Sequence, residues 1–194
     1  MPPKHKKGYC IMNTLELKKL RSFGSVAAVS RSATVTAALL ALGAVAGADR
    51  TPELPASLQV PHGSKVAFHA YAVGVQIYQW NGANWVFVAP EAVLFAAAGD
   101  HGELGIHYAG PTWESGSGSK VVGARVAGVT VDPNAIPWLL LRAVSSEGPG
   151  IFHRVSYIQR VNTTGGNAPS GPGSSAGQEA RVPYTAEYYF YRAK

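Results

Sequence analysis

Cysteine is almost absent from this chain, since its 194 residues contain only Cys10. One thiol cannot form an internal disulfide, and after residue 48 the absence of cysteine excludes a thiolate nucleophile and a cysteine-ligated zinc site. The sequence also lacks an apolar run of about 20 residues, the length that a stable transmembrane helix needs. We therefore expect a fold held together by noncovalent packing, with no stable membrane span after removal of a leader.

Charged residues are also scarce, at 14% of the chain, and they are unevenly distributed. Residues 1–48 contain seven Lys and Arg residues and one acidic residue, which gives a net charge of +6. Residues 49–194 contain ten basic and ten acidic residues, so their net charge is zero. Because no basic excess remains there to neutralise several phosphates, we expect no nucleic-acid partner.

The N-terminal region has the pattern of a secretion signal. Four basic residues precede an apolar run over residues 33–45, and small residues follow at 46–48; the basic residues are Lys18, Lys19, Arg21 and Arg31. This order is typical of a cleaved signal, so we expect a secreted or periplasmic protein. Residues 1–11, before Met12, are left open as an upstream extension. An uncleaved anchor and an organelle transit peptide stay open as alternatives.

The remainder is long enough for one domain, which would bury roughly 68–70% of its unfolded surface. Residues 49–64 are rich in proline and predict an irregular lead-in, and residues 65–194 predict an all-β domain. Short apolar or alternating segments separated by turns occur over residues 66–79, 85–89, 104–109, 120–131, 138–144, 152–161 and 182–191. They predict an antiparallel β-barrel or a two-sheet β-sandwich of about eight strands.

Three local features of this β region carry separate predictions. The alternation in the first strand changes phase at Gly74, which predicts a β-bulge. Residues 91–98 are the one segment after the leader that could form a short helix. Residues 162–180 are rich in glycine, serine and proline and predict a long flexible loop.

Several longer motifs resemble DUF3455, an uncharacterised family of exported bacterial and fungal proteins. The motifs are Val73–Tyr78, Ala89–Ala92, His107–Glu114, Ile136–Leu141, Arg160–Gly166 and Val182–Tyr188. The resemblance spans about residues 58–193 and implies no established activity. Many members carry cysteine at the position of Trp80 and another near Gly173 and Ser174, so any cross-link between them is missing here.

Two motifs superficially suggest cofactor or serine chemistry. The glycine-rich stretch 171–177 matches a dinucleotide loop, but such a loop must open a helix, and a strand is predicted here instead. Ser117 and Lys120 have Ser-x-x-Lys spacing, but that motif needs a helix start and Lys120 enters a predicted strand. We therefore expect no cofactor and interpret both stretches as turns or loops.

The strongest candidate site is the segment His107–Glu114, which contains an imidazole, a phenol, an indole and a carboxylate. Aromatic faces with a few polar groups typically line a small-ligand or sugar site, so the candidate ligand-binding residues are His107, Tyr108, Trp113, Glu114 and His69. The alternative is structural: an edge histidine, a core tryptophan, and a glutamate that pairs with Arg125 or the backbone. Without a His-x-His pair, no metal site is expected.

Two functional hypotheses follow, with a third behind them. The first is an exported, non-catalytic binding or cell-surface β domain for a small molecule, a carbohydrate or a partner. The second is a secreted hydrolase or isomerase that uses His107 and Glu114 as a base–acid pair. A purely structural coat or stress protein is the third. The sequence does not determine the ligand or the oligomeric state.

Overall fold

The computed structural model describes residues 53–194, and the predicted secretion signal over residues 1–48 lies outside the described residues. Eight strands follow one another: β1 (Ser64–Trp80), β2 (Trp85–Ala97), β3 (His101–Tyr108), β4 (Thr112–Ser115), β5 (Lys120–Val129), β6 (Trp138–Glu147), β7 (Tyr157–Gly165) and β8 (Glu179–Ala193). Every strand pairs antiparallel with its sequence neighbour, and β8 also pairs with β1. The all-β prediction is confirmed, as one sheet closed in a ring rather than two stacked sheets.

Alternation along the strands decides which side chains fill the inside of the ring. On β8, Tyr184, Ala186, Tyr188 and Phe190 are buried and belong to the main core. Phe68 of β1 stacks on Phe190 with ring centroids 4.4 Å apart. Successive side chains of a strand point to opposite faces, so the residues between these lie on the outer face. The core thus forms from every second residue of each strand.

The predicted bulge at Gly74 is wrong. Pairing runs without a shift through Gly74, and the irregularities of β1 lie between Val66 and Phe68 and between Ile77 and Tyr78. Glycine is needed at position 74 because β2 approaches closely there: a Cβ would lie 2.1 Å from the carbonyl oxygen of Glu91. The glycine marks a close backbone approach, which is the other common reason for glycine within a strand.

The short helix considered for residues 91–98 is also wrong, because residues 85–97 form one long strand. Ala92 and Leu94 are buried inside the ring, while Val93 pairs with Val73 on one side and Ile106 on the other. The short apolar run 85–89 was therefore only the first half of β2. The four-residue β4 was not predicted as a strand at all.

The lead-in before β1 packs on the outside of the ring. It contains one turn of 3-10 helix (Ala56–Leu58), and the Leu58 side chain is completely buried. The Gln159 side-chain amide donates a hydrogen bond to the Leu58 carbonyl oxygen at 2.7 Å. The Tyr191 hydroxyl donates in turn to Gln159 Oε1 at 2.5 Å. These contacts fix the lead-in to the outer face of β7 and β8.

The loop between β7 and β8 covers residues 166–178, shorter than predicted, and it is held by several hydrogen bonds. Trp85 Nε1 donates to the Gly171 carbonyl oxygen at 2.8 Å, and the Trp80 amide donates to that of Gln178 at 2.8 Å. A Cβ on Gly173 would lie 2.5 Å from Trp80 Cγ. The two positions at which the family resemblance implied cysteines are therefore direct neighbours. As predicted, the glycine-rich stretch leads into a strand and opens no helix.

Candidate functional site

One end of the ring interior contains a cavity of about 440 Å³. Every strand and two connecting loops contribute to its wall. Apolar and aromatic side chains make up most of the lining: Tyr78, Phe87, Val88, Pro90, Pro111, Trp113, Ile136, Pro137, Leu139 and Leu141. The polar lining consists of Gln76, His107, Arg125, Arg160 and the Tyr188 hydroxyl. A concave, largely apolar cavity with a few polar groups is the usual form of a small-molecule site.

His107 lies at the centre of the wall in a fixed orientation. Its Nδ1 donates a hydrogen bond to the Thr112 carbonyl oxygen at 2.8 Å, and its ring stacks on Trp113 with centroids 4.3 Å apart. Burial lowers the pKa of His107 to about 3, although the Thr112 carbonyl opposes this shift. The imidazole is therefore neutral at physiological pH, and Nε2 is left as a hydrogen-bond acceptor.

Trp113 forms the back of the cavity beside His107. Its side chain is only 1% exposed and makes edge contacts with Tyr188 and Phe190. Room for the indole depends on Gly123, where a Cβ would lie 3.1 Å from the ring. Among the described residues the Trp113 indole nitrogen has no hydrogen-bond partner. An indole N–H can only donate, so its partner must be an acceptor from outside the protein.

A group of buried polar side chains continues from Trp113 along β1 and β8. Within the described residues, Gln76 Nε2 and the hydroxyls of Tyr184 and Tyr188 form no hydrogen bond of normal geometry. Weaker polar contacts join the Tyr188 hydroxyl to Tyr184 and Arg160. Burial raises the pKa of Tyr184 and Tyr188, which keeps both hydroxyls protonated. Leaving a buried polar group unpaired costs about 1–3 kcal/mol, so these groups favour an external partner.

Two guanidinium groups supply the charge of the cavity. Arg160 on β7 donates through Nε and Nη2 to the Pro137 carbonyl oxygen, at 3.2 and 2.9 Å. Arg125 on β5 is exposed, and its guanidinium lies over Gly128, where a Cβ would come within 2.4 Å of Nη2. No aspartate or glutamate lines the cavity. The cavity is therefore positively charged.

Tyr108 and Glu114, two of the predicted site residues, lie on the outer face of the sheet. The Tyr108 hydroxyl donates to Glu114 Oε2 at 2.6 Å, and this hydrogen bond raises the pKa of Tyr108. His107 pairs with Trp113, whereas Glu114 pairs with Ile106, so His107 and Glu114 point to opposite faces. The structure therefore brings no contact between the histidine and the glutamate of the base–acid hypothesis. The partner of Glu114 is Tyr108 and not Arg125.

His69 also lies on the outer face, away from the cavity. Its Nε2 is 3.0 Å from a carboxylate oxygen of Glu187, and its ring stacks on Tyr189 with centroids 4.2 Å apart. Of the five predicted ligand-binding residues, the structure thus brings together His107 and Trp113 inside the ring. No group of three or more potential metal ligands occurs among residues 53–194.

Sequence reasoning did not select Gln76, Arg125, Arg160 or Tyr188 as site residues. Each occupies an inward position on a different strand, so only the closure of the sheet brings them together. Strict alternation on β8 was a usable signal, because it placed Tyr184 and Tyr188 on one face. No sequence signal indicated that the arginines of β5 and β7 face the same space.

The family model of DUF3455, described as a protein family of unknown function, matches residues 61–192. The chain belongs to the DUF3455 family. No curated protein and no solved structure matches it. The match covers the closed sheet from just before β1 to the end of β8, including every residue of the cavity wall. In the described part of this DUF3455 protein, no helix is long and apolar enough to cross a membrane.

Proposed function

We propose that this DUF3455 domain is an exported, non-catalytic binding protein that holds a small molecule inside its closed sheet. The observation that carries the proposal is the cavity beside Trp113 and His107, together with the unpaired polar groups in its wall. Its volume of about 440 Å³ is within the range of roughly 300–1,000 Å³ that small-molecule sites have. Export is supported by the basic, apolar and small-residue order of residues 18–48.

Binding is favoured over catalysis by the state of His107. Its Nδ1 is engaged by Thr112, and its lowered pKa makes it a poor general base at neutral pH. The hydrolase or isomerase hypothesis also needs Glu114 beside it, but this carboxylate is on the opposite face of the sheet. A partner-binding role for the outer face has no comparable support.

A two-dimensional proton–nitrogen NMR spectrum tests the proposal through its tryptophan indole signals. We expect members of a library of apolar and aromatic fragments to shift the Trp113 indole signal, because that N–H lies in the cavity wall without a partner. The Trp85 indole is the internal control, since it is bonded to Gly171 outside the cavity. Trp113→Phe assigns the signal.

A cavity-filling variant provides the second arm of this test. Leu139→Trp on β6 would occupy the space that a fragment needs, whereas Val144→Trp places the same side chain at an exposed position of the same strand. We expect binding to be lost only in Leu139→Trp. Fragments that never shift the Trp113 signal, or that bind equally well to Leu139→Trp, would contradict the proposal.

A further inference from the structure

We propose that the cavity selects an organic anion: a carboxylate whose head faces Arg125 and Arg160 and whose apolar body packs on the hydrophobic wall. This inference rests on the proposed function and names the class of ligand that the cavity takes. It follows from the charge, the hydrogen-bond donors and the apolar lining of the same cavity, which are argued in turn below.

The charge of the cavity wall is positive and uncompensated. In the described part of the chain, ion pairs are formed by His69, Lys120 and Arg181, and neither Arg125 nor Arg160 takes part in one. The two guanidinium groups keep their charge at any physiological pH. His107 adds no charge because it is neutral, and the cavity lining contains no carboxylate. An anionic ligand is the group that this wall lacks.

The geometry of Arg160 suits a carboxylate. The Pro137 carbonyl oxygen accepts from Nε and Nη2, which fixes the plane of the guanidinium against the loop before β6. A guanidinium has five N–H groups, so Nη1 and the second N–H of Nη2 are left to donate. Two such parallel donors match the two oxygens of a carboxylate, and this bidentate contact is among the stronger hydrogen-bonded pairs.

The neutral polar groups of the wall also favour an acceptor-rich ligand. Trp113 Nε1 and Gln76 Nε2 are donors, both side chains are at least 98% buried, and neither nitrogen has a partner among the described residues. The protonated hydroxyl of Tyr188 is a third donor. A carboxylate offers about four acceptor sites, which is enough for a guanidinium pair and further donors.

The rest of the lining excludes a bare inorganic anion as the best fit. Leucine, isoleucine, proline and aromatic side chains surround most of the cavity, with Phe87 and Val88 half exposed. Hydrated sulfate or phosphate would lose water against these side chains without compensation. Burying an apolar body instead contributes about 25 cal/mol per Å² of surface removed from water. An anion with a hydrocarbon or aromatic body satisfies both parts of the wall.

Isothermal titration calorimetry with matched pairs of ligands tests the inference. The probes are octanoate against octanamide and cinnamate against cinnamamide, which keep the body and change only the charge of the head. We expect the carboxylate of each pair to bind at least about tenfold more tightly than its amide. Arg125→Gln should remove most of this preference, while Arg142→Gln, an exposed arginine of β6 outside the cavity, should retain it.

Two arginine variants are needed because they differ in their structural roles. Arg160→Gln also removes the hydrogen bonds to Pro137, so a loss of binding there could reflect a changed loop. Arg125 forms no hydrogen bond or ion pair in the described part of the chain, so Arg125→Gln is expected to fold normally and carries the test. Unfolding curves check both variants.

The outcomes separate this inference from the proposed function. Amides that bind as tightly as carboxylates while shifting the Trp113 indole signal would overturn the anion inference and leave the binding function intact. A preference for carboxylates that survives in both Arg125→Gln and a folded Arg160→Gln would overturn the assigned residues. If neither probe of either pair, nor any library fragment, shifts the Trp113 signal, both proposals fail.

Discussion

At the scale of single residues, the face on which a side chain lies decides its role. The motif around Gly110 and Pro111 was identified as the candidate site from its residue types. Its members nevertheless divide between the two faces, with His107 and Trp113 inside and Tyr108 and Glu114 outside. Alternation along a strand predicts such a division only when the strand boundaries are known, and β4 was not predicted.

The buried His107 predicts a loss of stability as pH falls. Its pKa is about 3 in the folded state against about 6.5 when exposed, so below pH 6.5 the unfolded state takes up a proton that the folded state does not. The stability is fully present above about pH 6.5 and falls by about 1.4 kcal/mol per pH unit until about pH 3. At pH 5 we expect a loss of about 2 kcal/mol from this group.

Urea unfolding between pH 7 and pH 5 measures this effect. His107→Gln should flatten the pH dependence, although its stability at pH 7 should be lower because the stack on Trp113 is lost. His101→Gln, at an exposed histidine of β3, is the matched control and should keep the wild-type slope. Equal slopes in the wild type, His101→Gln and His107→Gln would show that the folded protein protonates His107 readily.

At the scale of secondary structure, the sequence predicted most strands and failed where two readings of an apolar run coincide. The apolar residues of 91–98 fit a short helix as well as a strand, and only pairing with both β1 and β3 decides for the strand. Gly74 similarly fits a bulge or a close approach between strands. These choices depend on partners distant in sequence, so local pattern alone could not make them.

The loop of residues 166–178 shows a further limit of composition. Its glycine and proline content predicted flexibility, but it packs against Trp80 and is bonded to Trp85 and Trp80. The length of the loop was overestimated for the same reason, since polar residues at the ends of β7 and β8 pair as strand. Composition does not reveal that a loop has a dedicated contact surface.

The contact between this loop and β1 predicts that Gly173→Ala destabilises the fold. The added methyl group would lie 2.5 Å from Trp80 Cγ and 2.7 Å from Trp80 Cβ, so the indole or the loop must shift. Overpacking of this kind costs about 1–3 kcal/mol. Thermal unfolding should show the loss, while Gly171→Ala in the same loop meets nothing within 4 Å and should change stability little. Equal melting temperatures for the two variants would contradict the packing described.

At the scale of the whole molecule, closure of the sheet is what creates the site. The pairing of β8 with β1 brings the inward side chains of eight strands around one space, including cations on β5 and β7. The sequence predicted a closed or stacked all-β fold with about eight strands, which is confirmed. It could not predict the cavity wall, because each strand contributes only one to three of its residues.

Native mass spectrometry of the mature protein, taken directly from its source, tests most directly whether the cavity holds a small molecule. We expect the wild type to carry a noncovalent adduct that is absent from Leu139→Trp and retained in Val144→Trp. A wild-type protein that shows only its bare mass, or an adduct that survives equally in Leu139→Trp, would contradict the account of a ligand held inside the ring.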